Sequence, residues 1–366
     1  MTAQWAFAAA LAGLPGISGR PLANLLTTHG SPMAAWEFLR SGGGPQLTWV
    51  IEARAVSVEA IEAVHADAGI AVLVTGDDRY PARLAADHQA PPVLFVKGQP
   101  EHAGVTPAVA VIGTRRCTHA GREVAAELGR DLAAAGVCVV SGLALGIDGA
   151  AHEGALSAGG CPPVGVVGSG LDVVYPARHR SLWERVGAAG ALLSEVPLGV
   201  RPAPWRFPMR NRVIAALADA VVVVESNATG GSMHTVAAAC ARSVPVLAVP
   251  GPVRSPASAG ANALLADGCP PARDATDVLV ALGLNSASSA RDPSTMTADE
   301  PMEGVDGEVL RAVDWAPTTV DSVVLRTGLQ PAKVAAALGR LEMAGHIYGD
   351  RGWWERQKAP VRRLHS

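Results

Sequence analysis

Lysine is almost missing from this chain of 366 residues: Lys97, Lys333 and Lys358 are the whole complement, and arginine supplies nearly all of the 30 basic residues. Against 33 acids the formal net charge is -3, so the molecule is no polycation, and a nucleic-acid partner would have to meet a local basic patch. Scattered arginines have a plain compositional explanation, since alanine, glycine and proline are abundant too. Clustered arginines mean more, because a guanidinium fork matches a phosphate bidentately. The five cysteines (Cys117, Cys138, Cys161, Cys240, Cys269) are odd in number, widely spaced and include no CxxC pair. That pattern provides neither a disulfide framework nor a zinc site, and it suits the reducing cytoplasm. No apolar run is long enough to span a bilayer. The apolar opening MTAQWAFAAALAG has no Lys or Arg before Arg20, so it lacks the charged region of a signal peptide. No metal and no membrane partner is expected.

Two nucleotide-binding signatures are absent as well. No Gly-Lys-Ser/Thr occurs, which removes the P-loop. A dinucleotide fingerprint needs G-x-G-x-x-G after its first strand and an acid near the end of its second. Here the first turn reads Gly113-Thr114-Arg115-Arg116, and the second strand ends in Ser141-Gly142. A further glycine turn, Gly168-Ser169-Gly170, continues as Leu171-Asp172 and not as the fingerprint. No cofactor of the NAD type is expected.

What is present centres on Val109–Asp148. The apolar run Val109–Ile112 ends in the polar turn Gly113–Arg116, and a helical stretch follows with Val124, Leu128 and Leu132 on one face. Gly136 closes that helix, and a second apolar run, Val137–Val140, ends in Ser141-Gly142. In an open parallel sheet such loops gather at the carboxyl edge, where ligands bind. A helix N-terminus with free N–H groups and a positive dipole end suits a phosphate. The two arginines of the turn point the same way, to an anionic ligand.

Residues 1–69 read as short helices with glycine breaks. Leu14–Gly19, followed by Leu22, Leu25 and Leu26, resembles a helix-hairpin-helix, although an ordinary helix connection explains so short a motif better. From Ile70 strands alternate with helices. The strand candidates are Ala71–Val74, Val93–Val96, Val109–Ile112, Val137–Val140, Val164–Val167, Ala191–Leu193, Ala220–Val224 and Val246–Val249. Near-continuous Val, Ala and Leu runs are what buried parallel strands require, so residues 70–284 are expected to form one Rossmann-like α/β domain with a doubly wound, mainly parallel sheet. The stretch 285–303 is rich in Ser, Thr, Asp and Pro and reads as a linker. Residues 304–358, three helical patterns and a hairpin, fit a winged helix. Its expected recognition helix carries only Lys333 and Arg340 as bases, beside Glu342, which leaves DNA binding, protein contact and a purely structural role open.

The segment Arg201–Arg212, RPAPWRFPMRNR, holds Arg201, Arg206, Arg210 and Arg212, no acid, and the aromatics Trp205 and Phe207. Single-stranded nucleic acid calls for that mixture, with arginines along the backbone and rings against bases. Helical periodicity begins at Val213, which places Arg210 and Arg212 in a first turn, where they oppose the dipole unless an anion compensates. A third loop, Asn227–Ser232 with Gly230, Gly231 and Ser232, again joins an apolar strand to a helix. Asp148, His152, Glu153, Asp172, His179 and Glu225 are the candidate catalytic groups. Asp148 and His152 stand at i, i+4 like an acid/base pair, but such neighbours are also ordinary structural hydrogen bonds. No nucleophile elbow, metal cluster or spaced carboxylate pair is present, and no catalysis is expected.

The motifs IGTRRCTHAGREVA, VVSGLALGIDGAAHEGAL, VVGSGLDVVYPARHRSL, LLSEVP, FPMRNRVIAAL, ATGGSMHTVAAACARSVPVLAVPG and GANALLADG occur in this order. Together they closely resemble the DprA/Smf family, the DNA-processing proteins of bacterial transformation, over about residues 70–282. The family's N-terminal SAM-like helical domain and C-terminal winged helix agree with both flanks. The resemblance implies a non-catalytic protein that binds and protects incoming single-stranded DNA on an extended Rossmann domain, dimerises and helps load RecA recombinase. It implies DNA contacts for Gly113, Thr114, Arg115, Phe207, Arg210, Asn211 and Arg212. Gly168, Ser169, Gly170, Gly230, Gly231 and Ser232 would line the same pocket. Arg116, Ser141, Gly142 and Arg206 join these candidates from the loops and the arginine segment themselves. Asn262, Leu264 and Leu265 match the family's dimerisation region. Met233-His234-Thr235 departs from the more apolar Leu-Ile-Thr common there. The rival reading is a nucleotide-phosphate enzyme of the phosphoribohydrolase type, with Glu225 or Asp148 as its acid, although no glutamate follows the glycine loop as those enzymes require.

Overall fold

Alternation along each strand assembles this molecule. In the strand Ala108–Ile112, residues Ala108, Ala110 and Ile112 enter one apolar cluster, while Val109 and Val111 enter another on the opposite face. A strand apolar on both sides must be covered on both sides, and the helices do so. The computed structural model describes residues 2–284, 302–315 and 317–357. The chain divides into two compact units, Met1–Asn285 and Ser286–Ser366.

The first unit opens with five helices, α1 (Gln4–Ala12), α2 (Arg20–His29), α3 (Pro32–Arg40), α4 (Leu47–Ala55) and α5 (Val58–Asp67). Then come β1 (Ile70–Val74), α6 (Ala82–Ala85), β2 (Val93–Gly98), β3 (Ala108–Ile112), α7 (His119–Ala134), β4 (Cys138–Ser141), α8 (Ile147–Ala158) and β5 (Val164–Val167). It ends with α9 (Arg180–Ala189), β6 (Ala191–Ser194), α10 (Arg206–Leu217), β7 (Ala220–Val223), α11 (Met233–Cys240), β8 (Val246–Ala248), α12 (Ala259–Ala266) and α13 (Ala275–Ala281). Every predicted strand is present within a residue or two of its expected ends.

The strands form one sheet in the order β1-β2-β6-β5-β4-β3-β7-β8. From β6 to β8 neighbours run parallel, whereas β1 pairs with β2 and β2 with β6 antiparallel. The fold is therefore doubly wound and mainly parallel, with an antiparallel extension. The chain steps outward from β3 to β6 and then returns to β7, so β3 and β7 flank the topological switch point, where such sheets bind ligands.

Helices α10, α11 and α12 cover one face of the sheet. On the other, α7, α8 and α13 cover the end holding β3 and β7. The N-terminal helices and α9 cover the extension: Phe7, Leu11, Trp36, Leu39, Trp183 and Val186 share a core with Ile70, Val72, Val93 and Phe95. The expected boundary at residue 69 thus falls inside one unit, because the antiparallel extension has no other helices to bury that face.

In the second unit α14 (Gly304–Ala312), β9 (Thr318–Thr319), α15 (Val320–Thr327) and α16 (Pro331–Met343) precede the hairpin β10 (Ile347–Asp350) and β11 (Trp353–Arg356). The core of Val309, Leu310, Val323, Val334, Leu338, Leu341 and Ile347 joins the three helices to the wing. The short β9 pairs with β11 and was not foreseen, since two residues carry no periodicity. The expected linker lies largely outside the described residues.

Candidate nucleic-acid interface

The switch point opens into a cleft of about 360 Å³. The turn after β3 contributes Gly113, Thr114, Arg115 and Arg116; α10 contributes Phe207, Pro208, Arg210 and Asn211; the loop after β7 contributes Asn227, Gly230, Gly231 and Ser232. Three stretches far apart in sequence meet here, as expected of strand-end loops.

The first turn is held from within. Glu225, directly beyond β7, accepts the Thr114 amide on its backbone carbonyl at 2.7 Å. Its carboxylate accepts the Thr118 amide at 2.8 Å and the Thr118 hydroxyl at 2.6 Å. Thr118 is the N-cap of α7, its hydroxyl accepting from the Gly121 amide at 3.0 Å. The N-terminus of α7, which the sequence reading offers to a phosphate, is therefore filled by the protein's own carboxylate. Gly121 permits this, since a Cβ there would lie 2.4 Å from the Glu225 carboxyl carbon. What the turn leaves to a ligand is Arg115 and Arg116, and neither has an ion-pair partner among the described residues. The Arg115 guanidinium lies over the Phe207 ring, 4.6 Å from its centroid.

Helix α10 begins at Arg206, earlier than expected, because Pro208 sits in the first turn, where its missing N–H leaves no bond unmade. Arg210 therefore stands in the helix interior, 4% exposed. It donates to the carbonyl of Gly142 at 2.8 Å and to that of Val166. Burial draws its pKa down to about 10, against the attraction of Asp148. Asp148 in turn accepts the Gly142 amide at 3.1 Å, and burial raises its pKa. This pair pins the loop after β4. A Cβ at Gly142 would meet the Arg210 guanidinium at 2.5 Å, so a larger residue there has to displace that group from its carbonyls. Asn211 donates to the Gly231 carbonyl at 3.2 Å and so fixes the glycine loop. Arg212 bonds Gln89 and Glu195, and it belongs to the strapping of the β1–β2 connection with Arg242, which donates to Asp87 at 3.0 Å.

Several expected site residues lie outside the cleft wall. Ser141 is buried and donates to Val111 at 2.6 Å. Gly168, Ser169 and Gly170 pack behind the start of α10 and the 197–200 loop: Ser169 is buried and donates to Val173 at 2.8 Å. The Arg206 guanidinium covers Trp205, 4.4 Å from the ring centroid, away from the cleft. Asn262 pairs with Gly251 in both directions, at 3.0 and 3.2 Å. Leu264 is in the core, which leaves Leu265, half-buried, as the more open of the two leucines. The catalytic candidates are likewise engaged. His152 is fully buried, its ring nitrogens on the carbonyls of Asp148 and Val164, at 3.1 and 3.2 Å, and burial lowers its pKa to about 4. Glu153 pairs with Arg185 at the surface, Asp172 accepts from the Gly199 amide, and His179 bonds the Leu143 carbonyl. Asp148 and Glu225, the acids of the enzymatic alternative, hold backbone in place.

Asn227 lines the cleft as the start of the expected glycine loop, and His234 and Thr235 line it unanticipated. Their signal, a position within a turn of the glycine loop, is too common to single them out. The arrangement presents fixed backbone, two free guanidiniums and a ring, which is equipment for holding an anionic polymer. Among the described residues no group of His, Cys, Asp and Glu could hold a metal ion, and no helix is long and apolar enough to cross a membrane.

Comparison with known proteins agrees with this geometry. Residues 71–283 match the family DNA recombination-mediator protein A, and residues 292–349 match the DprA winged helix domain. The chain is 40% identical over 275 residues to the putative DNA processing protein DprA of Mycobacterium tuberculosis, covering 75% of this chain and 70% of that one. With protein Smf of Escherichia coli it shares 36% over 272 residues, 73% and 72% of the two chains. The solved structure of Streptococcus pneumoniae DprA superposes with a TM-score of 0.65 at 28% identity, covering 76% of this chain and 98% of that one. DNA processing protein A of Helicobacter pylori, whose structure gives insight into its single-stranded DNA binding mode, follows at 0.53 and 28%, covering 58% and 95%. By its sheet, its cleft and the motifs that build them, this chain belongs to the DprA/Smf family of DNA-processing proteins.

Proposed function

We propose that this protein holds single-stranded DNA in the switch-point cleft, protects it and helps load RecA recombinase onto it, without catalysing a reaction of its own. The observation that carries the reading is a cleft with fixed backbone whose wall holds Arg116 and, over the Phe207 ring, Arg115, neither in an ion pair among the described residues. Charge to follow a phosphate backbone and a ring to meet bases are the two requirements of single-strand binding. The single-stranded DNA binding of the Helicobacter pylori relative supports it.

The test is oligothymidylate affinity measured by fluorescence anisotropy across a salt series. Each phosphate contact on a single strand contributes about 0.7 to the logarithmic salt slope. Arg115→Ala with Arg116→Ala should flatten the slope by roughly 1.4 and weaken binding at least tenfold at low salt. Unchanged affinity and slope would sink the proposal. The RecA step is read separately, as faster RecA ATP hydrolysis on a strand already coated with single-strand-binding protein. The proposed homodimer, resting on Asn262 and Leu265, is read by mass in solution, where Leu265→Asp should give the monomer.

A further inference from the structure

We infer that the strand path does not end in the main cleft: the segment leading from β5 into α9, Tyr175–Arg180, forms a second arm that takes a nucleobase on Tyr175 and phosphates on Arg178 and Arg180. This rests on the single-strand reading given above and extends it to Tyr175, Arg178 and Arg180, to which that reading gives no role.

Phe207 stands at a junction. On one side it borders the main cleft; on the other it borders a small cavity of about 40 Å³ lined by Arg115, Gly142, Leu145, Tyr175 and Pro176. Arg115, Ala144, Phe207 and Arg210 belong to both walls, so the two cavities are neighbours parted by the Arg115–Phe207 contact. The Tyr175 ring lies 5.6 Å from Phe207, tilted by 32°. It is 41% exposed, so much of it remains open to a further ring. Arg178 and Arg180 follow within five residues, both exposed and neither in an ion pair among the described residues. An open ring next to an occupied one, followed by unpaired guanidiniums, repeats on a second loop the composition of the main cleft. A strand leaving the cleft past Phe207 meets this loop next. Stacking does not discriminate among bases, so the arm takes any sequence.

The experiment compares the full-length protein with Tyr175→Ala, Tyr175→Phe and Arg178→Ala/Arg180→Ala on oligothymidylate and on an oligomer of abasic deoxyribose phosphates. Tyr175→Ala should weaken oligothymidylate binding roughly five- to hundredfold with the salt slope intact, as loss of one stacked base does. Tyr175→Phe should bind as the parent does. On the abasic oligomer Tyr175→Ala and the parent should be equal, because no base is there to stack. Arg178→Ala/Arg180→Ala should flatten the salt slope by roughly 1.4. If the Tyr175 and arginine variants all bind like the parent while Arg115→Ala/Arg116→Ala is weakened, the second arm is overturned and the cleft stands. If the parent itself binds no oligonucleotide in a salt-dependent way, the reading beneath it fails. Tyr175 is exposed and outside the core, and equal melting curves will show that the variants are folded.

Discussion

At the scale of single residues, buried polar groups in this protein organise backbone, and His152 shows what that costs at low pH. Its folded pKa of about 4 lies below the ordinary 6.5 of the unfolded chain, because burial penalises the imidazolium. Between those values the unfolded state binds a proton that the folded state refuses, so stability is complete above pH 6.5 and declines as pH falls toward 4. A shift of this size is worth roughly 3 kcal/mol. Denaturant unfolding at a series of pH values should show that loss for the parent, and a shallower pH dependence for His152→Gln. An equal dependence in both would refute the assignment. Arg210 teaches a related lesson. The sequence displays it as one of four arginines in an acid-free run, which reads as a ligand surface; only the fold reveals that carbonyls of the loop after β4 and of β5 claim it. Periodicity cannot show such a claim, because Gly142 and Val166 lie 68 and 44 residues away.

At the scale of elements, α7 and α8 approach closely enough for backbone to meet backbone, and glycine makes it possible. A Cβ at Gly129 would lie 2.1 Å from the Ala151 carbonyl oxygen, and one at Gly154 would lie 1.9 Å from that of Ala126. Backbone meets backbone at both points, so neither clash can be relieved by turning a side chain. Gly129→Ala and Gly154→Ala should each destabilise by about 1–3 kcal/mol or more. Their double variant should lose less than the sum, because the first methyl already parts the helices and makes room for the second. Thermal denaturation of the four proteins settles it, and strict additivity would contradict this account. The elements themselves were largely legible: continuous Val and Ala runs mark buried strands, and glycine marks their exits. Strand order was less so. Nothing in the spacing of β1, β2 and β6 says that they join antiparallel, since pairing is decided by which apolar faces find cover. The N-terminal helices supply that cover, and their own sequence shows only that they are amphipathic or apolar.

At the scale of the whole molecule, the cleft and the winged helix belong to different units of the chain. The cleft belongs entirely to Met1–Asn285, which has its own cores. In the winged-helix unit acids outnumber bases over residues 302–357, and Arg340 of its longest helix is engaged by Asp306 at 2.9 Å. A chain ending at Asn285 should therefore fold and keep its oligonucleotide affinity within about twofold, with the same salt slope. The isolated unit 302–357 should show no salt-dependent binding in the same anisotropy assay. A large loss on truncation would assign DNA contacts to the winged helix.

One consequence concerns competitors. A protein that grips a strand by its phosphates works amid a crowd of small phosphorylated metabolites, any of which would block an ordinary doubly wound nucleotide pocket. Here the seat at the head of α7 already has an occupant, since the Glu225 carboxylate takes the amide and hydroxyl of Thr118. A lone nucleotide finds a negative charge where its phosphate would settle. A long strand, held at many points along its length, does not need that seat. On the function proposed above, that one glutamate favours the polymer over the monomer.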